Sequence, residues 1–355
     1  MWPKSDLTEL LNVEHPIIQA PMAGSATVTL AGGVSNAGGL GSLGYATTPL
    51  EKIRENVQAL RTATDKPFNL NFFTHSPPKE NIEINSRTRD RIRPFYEELG
   101  LTDVPEFAET PFGTFDADTL SLLLELKPVV TSFHFGLPGM KMVEALKDYG
   151  CVILCTATTV AEARALNEAG VDAIIAQGWE AGGHRGTFDT TYEDFGVGSM
   201  ALVPQVVDAV DVPVIAAGGI ADGRGIAAAF ALGASGVQMG TAFLSCPEAK
   251  VSDAHRAAIR NATDEDTRLT RAFSGRPARA KNNRYIEAMA EHRTPLPDFP
   301  TMYGFSGPLQ EHGAERKDSD FQFLLYGQAA GLNRELPAAE LVRTLVKDAQ
   351  NILSK

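Results

Sequence analysis

Only three cysteines occur in 355 residues, which removes a disulfide-stapled fold from consideration. Cys151 and Cys155 lie four apart in an apolar run, so on a strand they share one face. No CxxC spacing joins them, Cys246 stands alone, and all three are expected to be buried, reduced thiols. Long hydrophobic runs are also missing. No stretch approaches the roughly 18 apolar residues that a membrane-spanning helix needs. An excess of positive charge is missing too: 32 Lys and Arg face 44 Asp and Glu, a net charge of −12. That balance excludes nucleic acid or an anionic membrane as the main partner, despite a basic stretch from Arg268 to Arg284. The first twelve residues carry acidic side chains where a secretory leader needs an apolar centre, so a cytoplasmic protein is expected. There is no clustered set of metal ligands, no G-x-S-x-G elbow and no G-x-x-x-x-G-K-[ST] loop. No metal is therefore expected.

What the sequence does have is alternation. Apolar, strand-like runs occur at Pro16–Pro21, Leu40–Leu43, Phe68–Phe73, Val129–Phe135, Val152–Thr156, Ala173–Gln177, Val214–Ala217 and Gly236–Ala242. Between them lie segments of helical periodicity at Pro49–Arg61, Pro138–Asp148, Thr159–Ala169, Met200–Val207 and Gly223–Leu232. Eight strands alternating with helices predict an α/β fold, a parallel TIM (β/α)8 barrel, in preference to a doubly wound open sheet. Two stretches interrupt the rhythm. Residues 74–126 form an insertion after the third strand, with a charged helical run at Arg87–Leu99. Residues 246–321 are polar and dotted with proline, with helical patches at Asp253–Arg260 and Arg284–His292. The predicted organisation is a barrel over 1–245, completed by 322–355 with its helix Ala338–Leu353. A smaller, mainly helical lobe, 246–321, lies over the barrel mouth.

In such a barrel the active site lies at the carboxyl ends of the strands, and phosphate often binds after strands seven and eight. Here the seventh strand ends in Ala217-Gly218-Gly219-Ile220 and the eighth in Gln238-Met239-Gly240-Thr241. Glycines let backbone N–H groups approach a phosphate, a helix start adds its positive end, and Thr241 offers a hydroxyl. The plainer alternative is that Gly218 and Gly219 are tight βα turns. Gly39, Gly41 and Gly44 spell G-x-G-x-x-G, but they form the second strand rather than a strand-to-helix turn. They are therefore expected to serve close packing rather than a dinucleotide.

The sixth strand runs through Gln177 into Ala181-Gly182-Gly183-His184-Arg185-Gly186. A histidine in a glycine-bracketed loop at the catalytic end suits general-base or charge-stabilising work, or else caps a turn or touches phosphate. Gln177 offers an amide to the polar edge of a flavin, or is a buried structural glutamine. His134, at the end of the fourth strand, is placed to line the cavity. His15 and His75 are expected in turns.

Together these motifs resemble the nitronate monooxygenases, also called 2-nitropropane dioxygenases, of the class I type. The resemblance is carried by Gln19-Ala20-Pro21-Met22-Ala23-Gly24, Asn69-Leu70-Asn71-Phe72-Phe73, the Gln177 to Gly186 stretch, the two glycine sites and Tyr326-Gly327-Gln328-Ala329. It implies an FMN-dependent enzyme that oxidises alkyl nitronates, such as propionate 3-nitronate, with O2 to a carbonyl compound and nitrite. It also implies that Met22, Asn71, Gln177, Gly182, Gly218, Gly219, Gln238, Met239, Gly240 and Thr241 hold FMN. His184 corresponds to the catalytic histidine. His134, Tyr303, Lys317 and Tyr326 are candidate substrate residues, and a monomer or homodimer is expected. Two other functions fit the same barrel: an FMN-dependent NAD(P)H:quinone or enoyl-thioester reductase, and a non-flavin sugar-phosphate enzyme.

Overall fold

The structure is a computed structural model that describes residues 2, 6–106, 109–188, 196–290 and 295–355. Eight parallel strands form its centre: β1 (Ile17–Gln19), β2 (Gly41–Gly44), β3 (Phe68–Phe73), β4 (Val130–His134), β5 (Val152–Ala157), β6 (Ala173–Gln177), β8 (Val214–Ala217) and β9 (Gly236–Met239). Their order is β1-β9-β8-β6-β5-β4-β3-β2. A parallel bridge between Ile18 and Leu40 joins the two ends, so the sheet closes on itself. The expected (β/α)8 barrel is present.

The two-residue alternation of a strand decides what faces the interior. On β6, Ile174 and Ala176 join the large cluster under the helices, while Ala173 and Ile175 point into the barrel. Gln177 continues the inward set and ends it at the mouth. The same parity places Asn69, Asn71 and Phe73 inward on β3, because Leu70 and Phe72 face the helices. It likewise places Ser132 and His134 inward on β4 and Gln238 inward on β9. Leu7 and Leu11 from the helix Asp6–Leu11 plug the opposite end against Ile18, Leu154 and Ile215. All three cysteines are buried and unbridged.

Helix starts follow local chemistry. Thr159, Asp116 and Asp222 each accept a hydrogen bond from a first-turn amide of the helix that follows. Thr27 does the same for Val28–Asn36, a glycine-containing helix that sequence periodicity misses. The eighth strand is shorter than expected. It stops at Met239, and Thr241–Leu244 is a helical turn.

A second core holds the lobe together. Phe273, Tyr285, Met302, Phe305, Leu309 and Phe321 pack with Ile92, Tyr96 and Leu99 of the helix Ile82–Leu99. Tyr96 also donates a 2.7 Å hydrogen bond to the Phe305 carbonyl. The insertion after β3 thus lends its helix to the lobe. The lobe contains helices Asp253–Arg260, Arg284–Ala290 and Thr301–Glu315. The expected end of the second of these, His292, lies outside the described residues. The lobe also contains a feature that the sequence did not suggest, a three-stranded antiparallel sheet. Its strands are β10 (Thr267–Thr270), β11 (Ala278–Lys281) and β7, the pair Gly183–His184 from the loop after β6. Among the described residues no helix is long and apolar enough to cross a membrane.

The G-x-G-x-x-G run is close packing. A Cβ on Gly41 would fall 2.0 Å from the Ala31 carbonyl oxygen, and one on Gly39 would fall 2.8 Å from that of Ile17. Gly41→Ala is therefore expected to destabilise the barrel by about 3 kcal/mol or to prevent folding, as overpacking against backbone does. A chemical denaturation midpoint equal to that of the unmodified chain would show that this strand has slack.

Candidate active site

The glycine loops after β8 and β9 line one cavity of about 80 Å³. Gln177, Gly182, Gly218, Gly219 and Gln238 to Thr241 all border it, together with Gly327 and Ala329 of the returning chain. Gly218 and Gly219 hold consecutive left-handed φ values of +99° and +73°. A Cβ on Gly218 would sit 3.0 Å from the Ala181 amide. This turn therefore needs glycine for its conformation and for its contact with the loop after β6. Gly182 permits a closer approach, since a Cβ there would meet the Gly327 amide at 2.4 Å. Thr241 Oγ1 accepts from the Gly327 N–H at 2.9 Å and keeps its own proton to donate. One part of the phosphate expectation needs correction. The helix after β8 does not offer its amino end, because Asp222 already takes the Arg224 and Gly225 amides.

Among the described residues that line this cavity, one buried polar atom has no partner: Gln238 Oε1. A buried acceptor without a donor is costly unless a ligand completes it. Met22 lies alongside, its sulfur 3.8 Å from the place a Gly240 Cβ would occupy. Asn71 sits deeper. Its amide donates to Ser132 Oγ at 2.8 Å and to the Ser132 carbonyl at 3.1 Å, within a polar layer that also contains Asn69.

His184 is fixed through its own carbonyl. Gln177 Nε2 donates to that oxygen at 3.0 Å and His134 Nε2 lies 3.1 Å from it. A carbonyl only accepts, so His134 carries its proton on Nε2 and its Nδ1 accepts from Thr156 Oγ1 at 3.1 Å. Both ring nitrogens of His134 are engaged, which makes it a support for the loop. Gln177 Oε1 accepts from the Gly186 amide at 2.8 Å, so this amide also braces the loop while bordering the cavity. From the other side the lobe holds the same segment. His184 pairs with Ala278, and the Arg185 amide donates to the Pro277 carbonyl at 2.8 Å.

The imidazole of His184 has one clear polar partner, Ser274 Oγ, at 2.9 Å from Nε2. That hydroxyl also lies 3.2 Å from the Arg276 carbonyl. Both contacts are satisfied together only if serine donates to the carbonyl and His184 donates from Nε2. Nδ1 then keeps its lone pair. Aromatic rings enclose the imidazole: Phe299, Phe323, Phe135 and Phe73 have centroids 5.6, 5.9, 6.0 and 6.2 Å away. Phe135 takes a left-handed φ of +75°, rare for a bulky residue and a form of strain that gathers at functional sites. The Arg276 guanidinium lies 3.8 Å above the Phe135 ring.

This environment disfavours an imidazolium. Burial, then repulsion from His134 when protonated and from the Arg276 guanidinium, push the His184 pKa down to about 3. Burial likewise lowers His134 and His75 to about 4. His184 as a residue is half-buried. At neutral pH all three histidines are neutral.

The remaining candidates separate. Tyr303 reaches the edge of the aromatic cage, 4.9 Å from Phe112, which stacks on Phe73. Tyr326 packs among Leu244, Ile259 and Ala330 beside the glycine cavity. Lys317 is an exposed residue past the end of Thr301–Glu315, roughly 20 Å along the helix from Tyr303 at 1.5 Å per residue. The structure does not bring it to the cage. His75 is no ordinary turn residue: it is buried, with its ring 4.8 Å from Phe299. Sequence reasoning missed Ser274, Arg276, Phe135 and Phe299. The one available signal was an aromatic side chain at the end of β3 and another just past β4.

A family model described as nitronate monooxygenase matches residues 4–348. A nitronate monooxygenase of Pseudomonas aeruginosa is 45% identical over 96% of this chain and 98% of its own. One from Paraburkholderia phytofirmans is 41% identical over 99% and 97%. Among solved structures, a nitroalkane oxidase from Streptomyces ansochromogenes superposes with a TM-score of 0.89 at 36% identity, covering 99% of both chains. FabK from Thermotoga maritima superposes with a TM-score of 0.76 at 31% identity, covering 99% of this chain and 98% of its own.

The three depressed histidines have a consequence for stability. Unfolded, each titrates near 6.5; folded, near 4 or below. Between those values the unfolded chain binds protons that the folded chain does not. Stability is thus complete above about pH 6.5 and falls as pH is lowered towards 4. Denaturant midpoints measured from pH 7 to pH 4.5 should decline, and His75→Leu should make that decline shallower. An unchanged slope in the variant would mean that His75 titrates normally in the fold.

Proposed function

Because the chain belongs to the nitronate monooxygenase family, we propose that its barrel mouth binds FMN and oxidises alkyl nitronates with O2 to a carbonyl compound and nitrite. The observation that carries the reading is the adjacency of two unlike environments: a glycine-walled polar cavity and a dry aromatic cage around His184. They share the loop after β6.

The cavity residues fit FMN. The Gly218–Gly219 turn and the Gly240–Thr241 segment make a cradle for the phosphate, with the Thr241 proton free to donate. A phosphate alone has no use for the Gln238 Oε1 acceptor, whereas the flavin ring edge has N–H groups to give it. Gln177 borders both the cradle and the His184 loop, and Met22 lies beside Gly240. When bound, FMN would accept electrons from the nitronate and pass them on to O2.

The chain's own residues supply position and environment. A nitronate arrives already deprotonated, so no strong base is required for it. The phenylalanine cage excludes water, which strengthens every polar contact inside it. His184, held by its carbonyl and by Ser274, presents a neutral ring whose Nδ1 lone pair can receive a proton. With a neutral nitroalkane that proton comes from the substrate carbon. With a nitronate, the anion itself favours imidazolium formation and so offsets the burial penalty. Tyr303 and Phe112 border the outer side of the cage, where the organic part of the substrate would lie. Tyr326 belongs to the cofactor side.

Purified protein should be yellow, and ethylnitronate or propionate 3-nitronate should drive oxygen consumption and nitrite release. Flavin-replete protein that turns over no nitronate would refute the reading. His184→Asn is expected to lower kcat/KM by about 100-fold or more while the visible flavin spectrum is retained. Thr241→Val should weaken FMN binding by roughly tenfold, the size of one hydrogen bond to a charged group, measured by flavin fluorescence on titration.

A further inference from the structure

The segment that closes the glycine cavity, residues 327–333, is tied to itself as one piece. The Ala330 amide donates to the Gly327 carbonyl at 3.1 Å, Leu332 to Ala329 at 3.0 Å and Asn333 to Ala330 at 3.0 Å. It is also seated from outside. A Cβ on Gly331 would fall 2.9 Å from the Ala262 carbonyl oxygen, and one on Gly327 would fall 2.7 Å from that of Glu180. The Gln328 amide donates to the same Glu180 carbonyl at 3.0 Å. Asn333 is therefore held in a fixed relation to Gly327 and Ala329, which line the cavity.

This segment grips Thr241 by its side chain and by its backbone. The Gly327 amide donates to Thr241 Oγ1 at 2.9 Å, and Asn333 Nδ2 donates to the Thr241 carbonyl at 2.6 Å. A carbonyl only accepts, so the group facing it is the NH2 of the side-chain amide. The second proton of that NH2 reaches Ser245 Oγ at 3.1 Å. Thr241 begins the helical turn Thr241–Leu244 and Ser245 caps it, so one amide spans the turn from end to end. Its other atom, Asn333 Oδ1, is buried with no hydrogen-bond partner. A buried amide satisfied on one side only is costly, and leucine would fill the same space without that cost. The Nδ2 contacts are therefore the reason for asparagine at this position.

We infer that Asn333 is a positioning residue for phosphate recognition: by holding the Thr241 carbonyl it fixes the Thr241 hydroxyl towards the cradle formed with Gly218 and Gly219. Asn333 does not line the cavity itself, so it acts through Thr241. The Gly327 amide occupies a lone pair of that hydroxyl, Asn333 fixes the backbone that carries it, and the remaining proton is left for the anion. A phosphate ester gains from this alignment, and an uncharged alcohol at the same place gains far less. Asn333 thereby contributes selectivity for FMN over riboflavin. This inference rests on the FMN reading of the cavity.

Asn333→Leu keeps the volume and removes both Nδ2 bonds. The full chain, freed of flavin, is titrated with FMN and with riboflavin and followed by the quenching of flavin fluorescence. The variant should bind FMN about fivefold more weakly, the size of one ordinary hydrogen bond, with riboflavin affinity unchanged. In a Thr241→Val background the same substitution should have little further effect on FMN, because both changes act through one hydroxyl. Equal weakening of both flavins, no weakening of FMN, or full additivity with Thr241→Val overturns the inference, while FMN binding by the unmodified chain upholds the cofactor site. Asn333→Ala is read in the same way if the leucine variant does not fold. If the unmodified chain takes up neither flavin, the FMN reading fails instead, and amide hydrogen exchange decides whether Asn333 holds Thr241. Exchange at the Gly327 amide about fivefold faster in the variant supports that hold, and equal exchange overturns it.

Discussion

The carbonyl oxygen of His184 is the point on which the candidate site turns. It receives hydrogen bonds from Gln177 and from His134, two side chains projecting inward from different barrel strands. A backbone oxygen held twice fixes the peptide plane, and with it the direction in which the imidazole leaves the chain. The bonds that secure those two donors run outward in turn: Thr156 holds His134, and the Gly186 amide holds Gln177. Glu162, buried at the start of its helix, takes the Thr187 hydroxyl and the Phe188 amide at 2.7 and 2.9 Å, which extends the same grip along the loop. The barrel supplies this entire side of the clamp.

The lobe supplies the other side, and it does so by treating the loop as a strand of its own sheet. Pairing of β7 with β11 sets Ser274 against the ring that the barrel has aimed. The site is therefore a joint between two cores, and neither core alone contains a finished pocket. The aromatic cage has the same double origin: Phe73 and Phe135 come from the barrel, while Phe299 and Phe323 come from the lobe side. Such a cage keeps its histidines neutral because burial, the largest influence on both His184 and His134, outweighs the opposing pull of Glu162 on His134.

Much of this was legible beforehand, and the reasons differ from element to element. The barrel strands announce themselves because each is a short apolar run with a turn at its mouth end. Parity along β3, β6 and β9 even indicates that Asn71, Gln177 and Gln238 face inward. Gly218 and Gly219 stood out because few residues tolerate consecutive left-handed conformations. The helix Val28–Asn36 was obscured by its two glycines, and Thr301–Glu315 by Gly304, Gly307 and Pro308, since neither composition favours a helix locally. Tertiary packing stabilises both. Ser274 and Arg276 were invisible for a different reason: they sit in a polar stretch about 90 residues from His184 in the chain, and no periodicity reports a contact between segments that distant. The capping role of Asp222 was written plainly enough, as an acidic residue just ahead of a helix, but it competes with the phosphate reading of the same turn.

The tight approach of Gly182 to the Gly327 amide bears on how the protein is made. The cavity that borders Gln177 and Gly218 is closed by Gly327 and Ala329, the last of its lining residues to leave the ribosome. Strands one to eight can be complete, and the barrel shut, while one wall of the cavity is still missing. Enclosure of that cavity is therefore a late event in biogenesis. A chain interrupted between Met239 and Gly327 would carry all eight barrel strands but lack one wall of the cavity.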